Sequence, residues 1–144
     1  MAKISTTRAD KILYDMAIPY LVKLSELLGY EVYAYWPGLD APRKVDRTRV
    51  YVDIQRTVLA KEPLGLSADS GNIATGQLNI GVSATEKQSD YPKCATVVEE
   101  LIEALSRRRC AYDLIIHTAR WEDTVVREGR RVFNIIVDYE YETS

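Results

Sequence analysis

The sequence predicts an α+β domain: a two-layer sandwich in which a mixed, mostly antiparallel sheet carries two helices on one face, in the order α-β-β-β-α-β-β. Three stretches predict it. From Ala74 to Ala84, the residues Ala74, Leu78, Ile80, Val82 and Ala84 share one parity while Thr75, Gln77, Asn79 and Ser83 share the other, which gives a strand with one apolar and one wet face. Ala95, Val98, Leu101, Ile102 and Leu105 then recur at three- and four-residue steps, the spacing of a helical stripe that must lie on a sheet. From Val132 to Tyr141, the odd residues Phe133, Ile135, Val137, Tyr139 and Tyr141 point one way and Asn134, Asp138, Glu140 and Glu142 the other.

Taken in order, Thr7 and Asp10 resemble a capping box. Behind them Leu13, Met16, Ala17, Tyr20, Leu21, Leu24, Leu27 and Leu28 trace a helical stripe as far as Gly29, a natural C-terminal cap. Pro19 lies inside this pattern and deletes a hydrogen bond, so a kink or two abutting helices are expected there. Tyr30 to Trp36 is aromatic and β-branched and stops at Pro37-Gly38, which reads as a short strand. Leu39 to Arg49 is an exposed connector holding four basic residues, Arg43, Lys44, Arg47 and Arg49, as a solvated loop or an interaction surface. Val50, Val52, Ile54, Val58 and Ala60 alternate with polar neighbours to give a second strand, too long to end flush with a small sheet.

Glu62 to Asn72 is rich in turn formers and joins two strands expected to pair as a hairpin. A tight hairpin needs only about two to five connecting residues, and the apolar Leu64 and Leu66 in a polar tip favour a contact surface. After the second helix, Arg107-Arg108-Arg109 suits the helix dipole; the other reading is a contact with nucleic acid or an acidic partner. Leu114, Ile115 and Ile116 mark a strand from Tyr112 to Trp121, Glu122 and Asp123 the start of a turn, and Arg127 to Arg131 around Gly129 a charged turn into the closing strand.

A chain of 144 residues is expected to form one domain spanning residues 1–144, with on the order of two thirds of the unfolded surface hidden. With 19 basic and 21 acidic residues the net charge is −2, without the footprint of a protein that wraps nucleic acid. No apolar run approaches the roughly 20 residues needed to cross a bilayer, and Met1-Ala2-Lys3-Ile4 lacks a signal-peptide core, so the cytosol is the expected site of synthesis.

Catalytic constellations are missing from the pattern. Cys94 and Cys110 have no companions at metal-ligand spacing and read as reduced packing residues. The segment before Asp90 has no glycine for a phosphate loop. His117, the one histidine, shares parity with Ile115 and Ala119 and reads as a core or sheet-surface residue rather than a general base. Glu99 and Glu103 share a helix face but lack a third ligand. Ten tyrosines suit either an assembly interface or half-buried sheet positions.

In this order of elements the chain resembles the tail terminator proteins of long-tailed bacteriophages. The likeness is carried by the N-terminal helix, the strand Arg49 to Lys61, the extended loop, the strand Gly76-Gln77-Leu78-Asn79-Ile80-Gly81-Val82, the helix Val97-Val98-Glu99-Glu100-Leu101-Ile102-Glu103-Ala104-Leu105 and the closing strand. The resemblance implies a virion protein, assembled in the host cytoplasm, that forms a homo-hexameric ring capping the tail tube, halts addition of tube subunits and offers a docking surface to the head-side connector. Its partners would be its own copies, the tube protein and the connector protein, with DNA crossing the lumen unread, and it would need no cofactor, metal or membrane. The connector and the loop are the long segments the fold does not need, which makes Arg43, Lys44, Arg47, Leu64, Leu66 and Asp69 the candidate assembly contacts. The alternatives are a tail-completion or tube-like subunit, and a small enzyme or ligand-binding domain with a pocket between helix and sheet.

Overall fold

The structure, a computed structural model, describes residues 3, 5–29, 31–35, 49–63, 65, 71–85, 87–127 and 130–143. Helix α1 spans Thr6–Leu28. Its N-cap is Ser5 rather than Thr7: Ser5 is extended and its Oγ accepts the Arg8 N–H at 3.2 Å, whereas Thr7 is already helical. At the other end Gly29, at φ 70°, takes the left-handed conformation and donates its N–H to the Ser25 carbonyl at 2.9 Å, as its position in the sequence predicts. α1 is one continuous helix through the exposed Pro19 rather than two abutting helices.

Strands β1 (Glu31–Tyr35), β2 (Arg49–Pro63) and β3 (Asn72–Thr85) follow, then helix α2 (Tyr91–Leu105). A two-residue strand β4 (Arg108–Arg109), β5 (Ile115–Arg127) and β6 (Arg130–Thr143) complete the order. The described strands form one mixed sheet in the order β1-β2-β3-β6-β5-β4, in which β1 and β2 are parallel and every other pair is antiparallel. The α+β order expected from the sequence is the order observed, with β4 as the addition.

Both helices pack on one face. Along β3 and β6 the inward residues Ala74, Leu78, Ile80, Val82, Phe133, Ile135, Val137, Tyr139 and Tyr141 are all buried. They pair across the sheet, Leu78 with Val137, Ile80 with Ile135 and Val82 with Phe133. Over them lie Ala9, Leu13, Ala17, Leu21 and Leu24 of α1 and Cys94, Val97, Val98, Leu101 and Leu105 of α2. α2 is turned slightly from the expected stripe: Cys94 and Val97 are buried, while Ala95 and Ile102 are half-buried. Lys23 and Glu100 bridge the two helices at 2.5 Å on their solvent side.

Four local expectations fail, each for a physical reason. β2 has no surplus length, because β3 and β6 are equally long and the three end together at Pro63, Asn72 and Thr143. Glu122 and Asp123 sit inside β5, where a bulge between Trp121 and Asp123 absorbs one residue instead of turning the chain. A second bulge, between Ile116 and Thr118, breaks the parity assigned to His117: Ile116 and Ala119 are both buried and His117 is exposed. Arg107-Arg108-Arg109 does not cap α2. The helix ends at Leu105 with no basic residue in its last turn, and Arg107, at φ 53°, turns the chain into β4. A further bulge between Val58 and Ala60 interrupts the alternation of β2.

The packing predicts a steep contrast between two aliphatic positions. Ile135→Ala, at a site 0% exposed in the centre of the sheet, should cost about 2–5 kcal/mol, whereas Val126→Ala, at a site 56% exposed, should stay within about 0.5 kcal/mol, both read by urea denaturation.

Candidate assembly surface

The face of the sheet opposite the helices is polar because alternate residues of the same strands must point there. It presents Ile73, Thr75, Gln77, Asn79 and Ser83 from β3 and Val132, Asn134, Ile136, Asp138, Glu140 and Glu142 from β6, all of intermediate exposure. At its centre Asp138 accepts hydrogen bonds from Thr118 Oγ1 at 2.7 Å, Gln77 Nε2 at 3.0 Å and Arg120 Nη1 at 2.5 Å. Burial by itself would raise this carboxyl's pKa. The three hydrogen bonds and the Arg120 charge outweigh it and hold the group below its ordinary value. Nearby, Asn134 Nδ2 donates to Asp123 Oδ1 at 2.6 Å, and His117 Nε2 lies 3.2 Å from Glu140 Oε1.

The described residues also line grooves in two places, one beside this network and one at the start of α2. One, of about 300 Å³, lies on the open face at the Pro63 end, lined by Glu62, Pro63, Ile73, Thr75 and Glu140. Glu142 is the register partner of its floor residue Ile73, and one oxygen of that carboxylate, Oε2, is buried without a hydrogen-bond partner among the described residues. The other groove, of about 430 Å³, is lined by Gln88, Tyr91, Pro92 and Arg131, with the Arg131 guanidinium 4.7 Å from the centre of the Tyr91 ring. At the β4 edge Arg107, Arg108 and Arg109 are all exposed.

Burial raises the pKa of both thiols, Cys94 being buried and Cys110 half-buried. Burial, then the neighbouring Asp90 charge, pushes the Cys94 thiol up to about 11, with Arg131 offsetting part of the rise. Burial likewise raises Cys110, against a smaller opposing effect of Arg108. Both are free cysteines, and at neutral pH both hold their protons, which makes them poor nucleophiles. His117 is on the sheet surface, one of the two positions expected for it. Glu99 and Glu103 are exposed on α2, and no cluster of three metal-ligating side chains occurs among the described residues.

The candidate contacts Arg43, Lys44, Arg47, Leu64, Leu66 and Asp69 all lie outside the described residues. The Asp138 network and the carboxylate-rimmed groove escaped the sequence, because each unites residues from three strands and the bulges in β2 and β5 shift which of them meet. One signal was present: the run of carboxylates at alternate positions of β6, Asp138, Glu140 and Glu142.

The fold has a counterpart among solved structures. The fold is similar to a chain of the structure described as "Virion of native gene transfer agent (GTA) particle", with a TM-score of 0.53 and 14% identity, covering 92% of this chain and 93% of that one. The likeness is one of fold. No family model matches the chain, and no curated protein matches it. Across the uncovered face the Asp138 cluster ties three neighbouring strands together.

Asp138 gives this face a pH signature. Its pKa is lower folded than unfolded, so its ionised form stabilises the fold in full above the ordinary carboxylate value of about 4 and loses that contribution as pH falls through the lowered value. Asp138→Asn should therefore cost about 1 kcal/mol at neutral pH and progressively less as pH falls through the lowered value, measured by urea denaturation along a pH series.

Proposed function

We propose that this chain is a structural protein of a phage-type virion that forms a ring, expected to be hexameric, on the end of a tail tube. One domain spans the chain. The ring occupies the last tube position, offers no template for a further tube subunit and presents its other side to the head-side connector, while DNA passes through the lumen without being read. Its place is the virion, with assembly in the host cytoplasm. The observation that carries this reading is the likeness of fold to a virion-particle chain over nearly the whole of both lengths. The net charge of −2 suits a channel that does not grip DNA. Among the described residues no helix is long and apolar enough to cross a membrane.

The mechanism is occupancy, and it needs no cofactor or catalytic group. The connector with Arg43, Lys44 and Arg47 and the loop with Leu64, Leu66 and Asp69 supply contacts to neighbouring copies or to the tube.

Mixing the purified chain with polymerising tube protein and measuring tube lengths by electron microscopy tests the reading. Tubes should shorten as the chain is added and carry one density at a single end. A chain that stacks into tubes of its own is a tube-like subunit instead, and a compact monomer stabilised by a small molecule, without effect on tubes, is a ligand-binding domain. Changing Leu64 and Leu66 together to Asp should abolish the effect on tube length while leaving the melting temperature of the monomer unchanged; unaltered termination would remove this loop from the contact.

A further inference from the structure

We propose that copies of this chain join head to tail, the Arg107–Arg109 edge of one entering the carboxylate-rimmed groove of the next. The proposal rests on the ring reading above and names the contact that builds the ring. One row of the sheet connects the two patches. Arg109 is in register with Ile115, Ile115 with Glu140, Glu140 with Thr75 and Thr75 with Ala60. The row of Glu62, Ile73 and Glu142 lies two residues further along the strands, about 7 Å away. The basic edge on β4 and the acidic groove over β2, β3 and β6 therefore sit at nearly the same height on one sheet, with β5 between Arg109 and Glu140.

Their chemistry is complementary. Arg107 and Arg108 are exposed and form no ion pair among the described residues, and Arg109 reaches only Asp113, at 3.4 Å. Across the sheet Glu62 is exposed, and neither it nor Glu142 has an ion-pair partner among the described residues. The buried Oε2 of Glu142 has no donor among the described residues, so that carboxylate adds negative charge beside the groove that no described cation offsets. Arginine suits the site better than lysine, because its fork of N–H groups bonds a carboxylate through both oxygens. Ile73 and Pro63 give its aliphatic stem an apolar surface.

Geometry dictates the kind of assembly. The two patches are different surfaces, so the contact is heterologous, and such contacts form rings when the rotation closes and filaments when each step also climbs.

Charge reversal tests the contact on the full chain, alone and with tube ends present, by light scattering at low salt and at about 0.5 M salt. Glu62→Arg and Arg108→Glu, both at exposed positions, should each raise the concentration needed for assembly about tenfold or more without moving the melting temperature. The variant carrying both should regain assembly, and high salt should weaken the wild-type ring. Rings unaffected by either reversal, or a double variant no better than the singles, overturn this contact and leave the ring standing. A wild-type chain that stays monomeric both alone and with tube ends overturns the ring and the contact together.

Discussion

One-sided burial governs this molecule. Alternate residues of β3 and β6 are driven under α1 and α2, where Leu78, Ile80, Phe133, Ile135 and Val137 leave water almost completely. Because side chains alternate along a strand, covering one face forces the intervening residues onto the other. The polar rows of Thr75, Gln77, Asn79 and of Asn134, Asp138, Glu140, Glu142 result from that geometry. The core leaves over a polar face crossed by hydrogen-bonded side chains, a basic β4 edge and a groove rimmed by carboxylates.

The same constraint explains how far the sequence is legible. Where alternation and helical spacing persist over a whole element, as in Ala74 to Ala84 and Val132 to Tyr141, sequence and structure agree residue by residue. Leu13, Ala17, Leu21 and Leu24 are as buried as their spacing implies. Bulges spoil the reading. One extra residue near His117 and another near Glu122 each reverse the parity of the strand residues beyond them, and no local propensity marks them. Helix ends were ambiguous because several side chains compete to cap: Ser5 prevailed over Thr7, and three consecutive arginines that suit a helix C-terminus instead form an edge strand.

The candidate site was less legible than the fold. Contacts between strands distant in sequence depend on register, so the meeting of Thr118, Gln77 and Arg120 on Asp138 could be derived only once pairing was known. Strand length misled in an instructive way. β2 is long because β3 and β6 are long, and the three end in line. The case for assembly consequently moves from surplus strand to the uncovered face, its charged borders and the segments that hold Arg43, Lys44, Arg47, Leu64, Leu66 and Asp69.

Hydrogen–deuterium exchange, comparing the free chain with the chain seated on tube ends, tests most directly whether the sheet's borders are where copies meet. Amides of the helix-covered strands should exchange slowly in both states, while those of Arg107–Arg109 and of the β2 end at Lys61 and Glu62 should slow on assembly. Protection that appears elsewhere and leaves both borders exchanging as in the free chain would contradict the account.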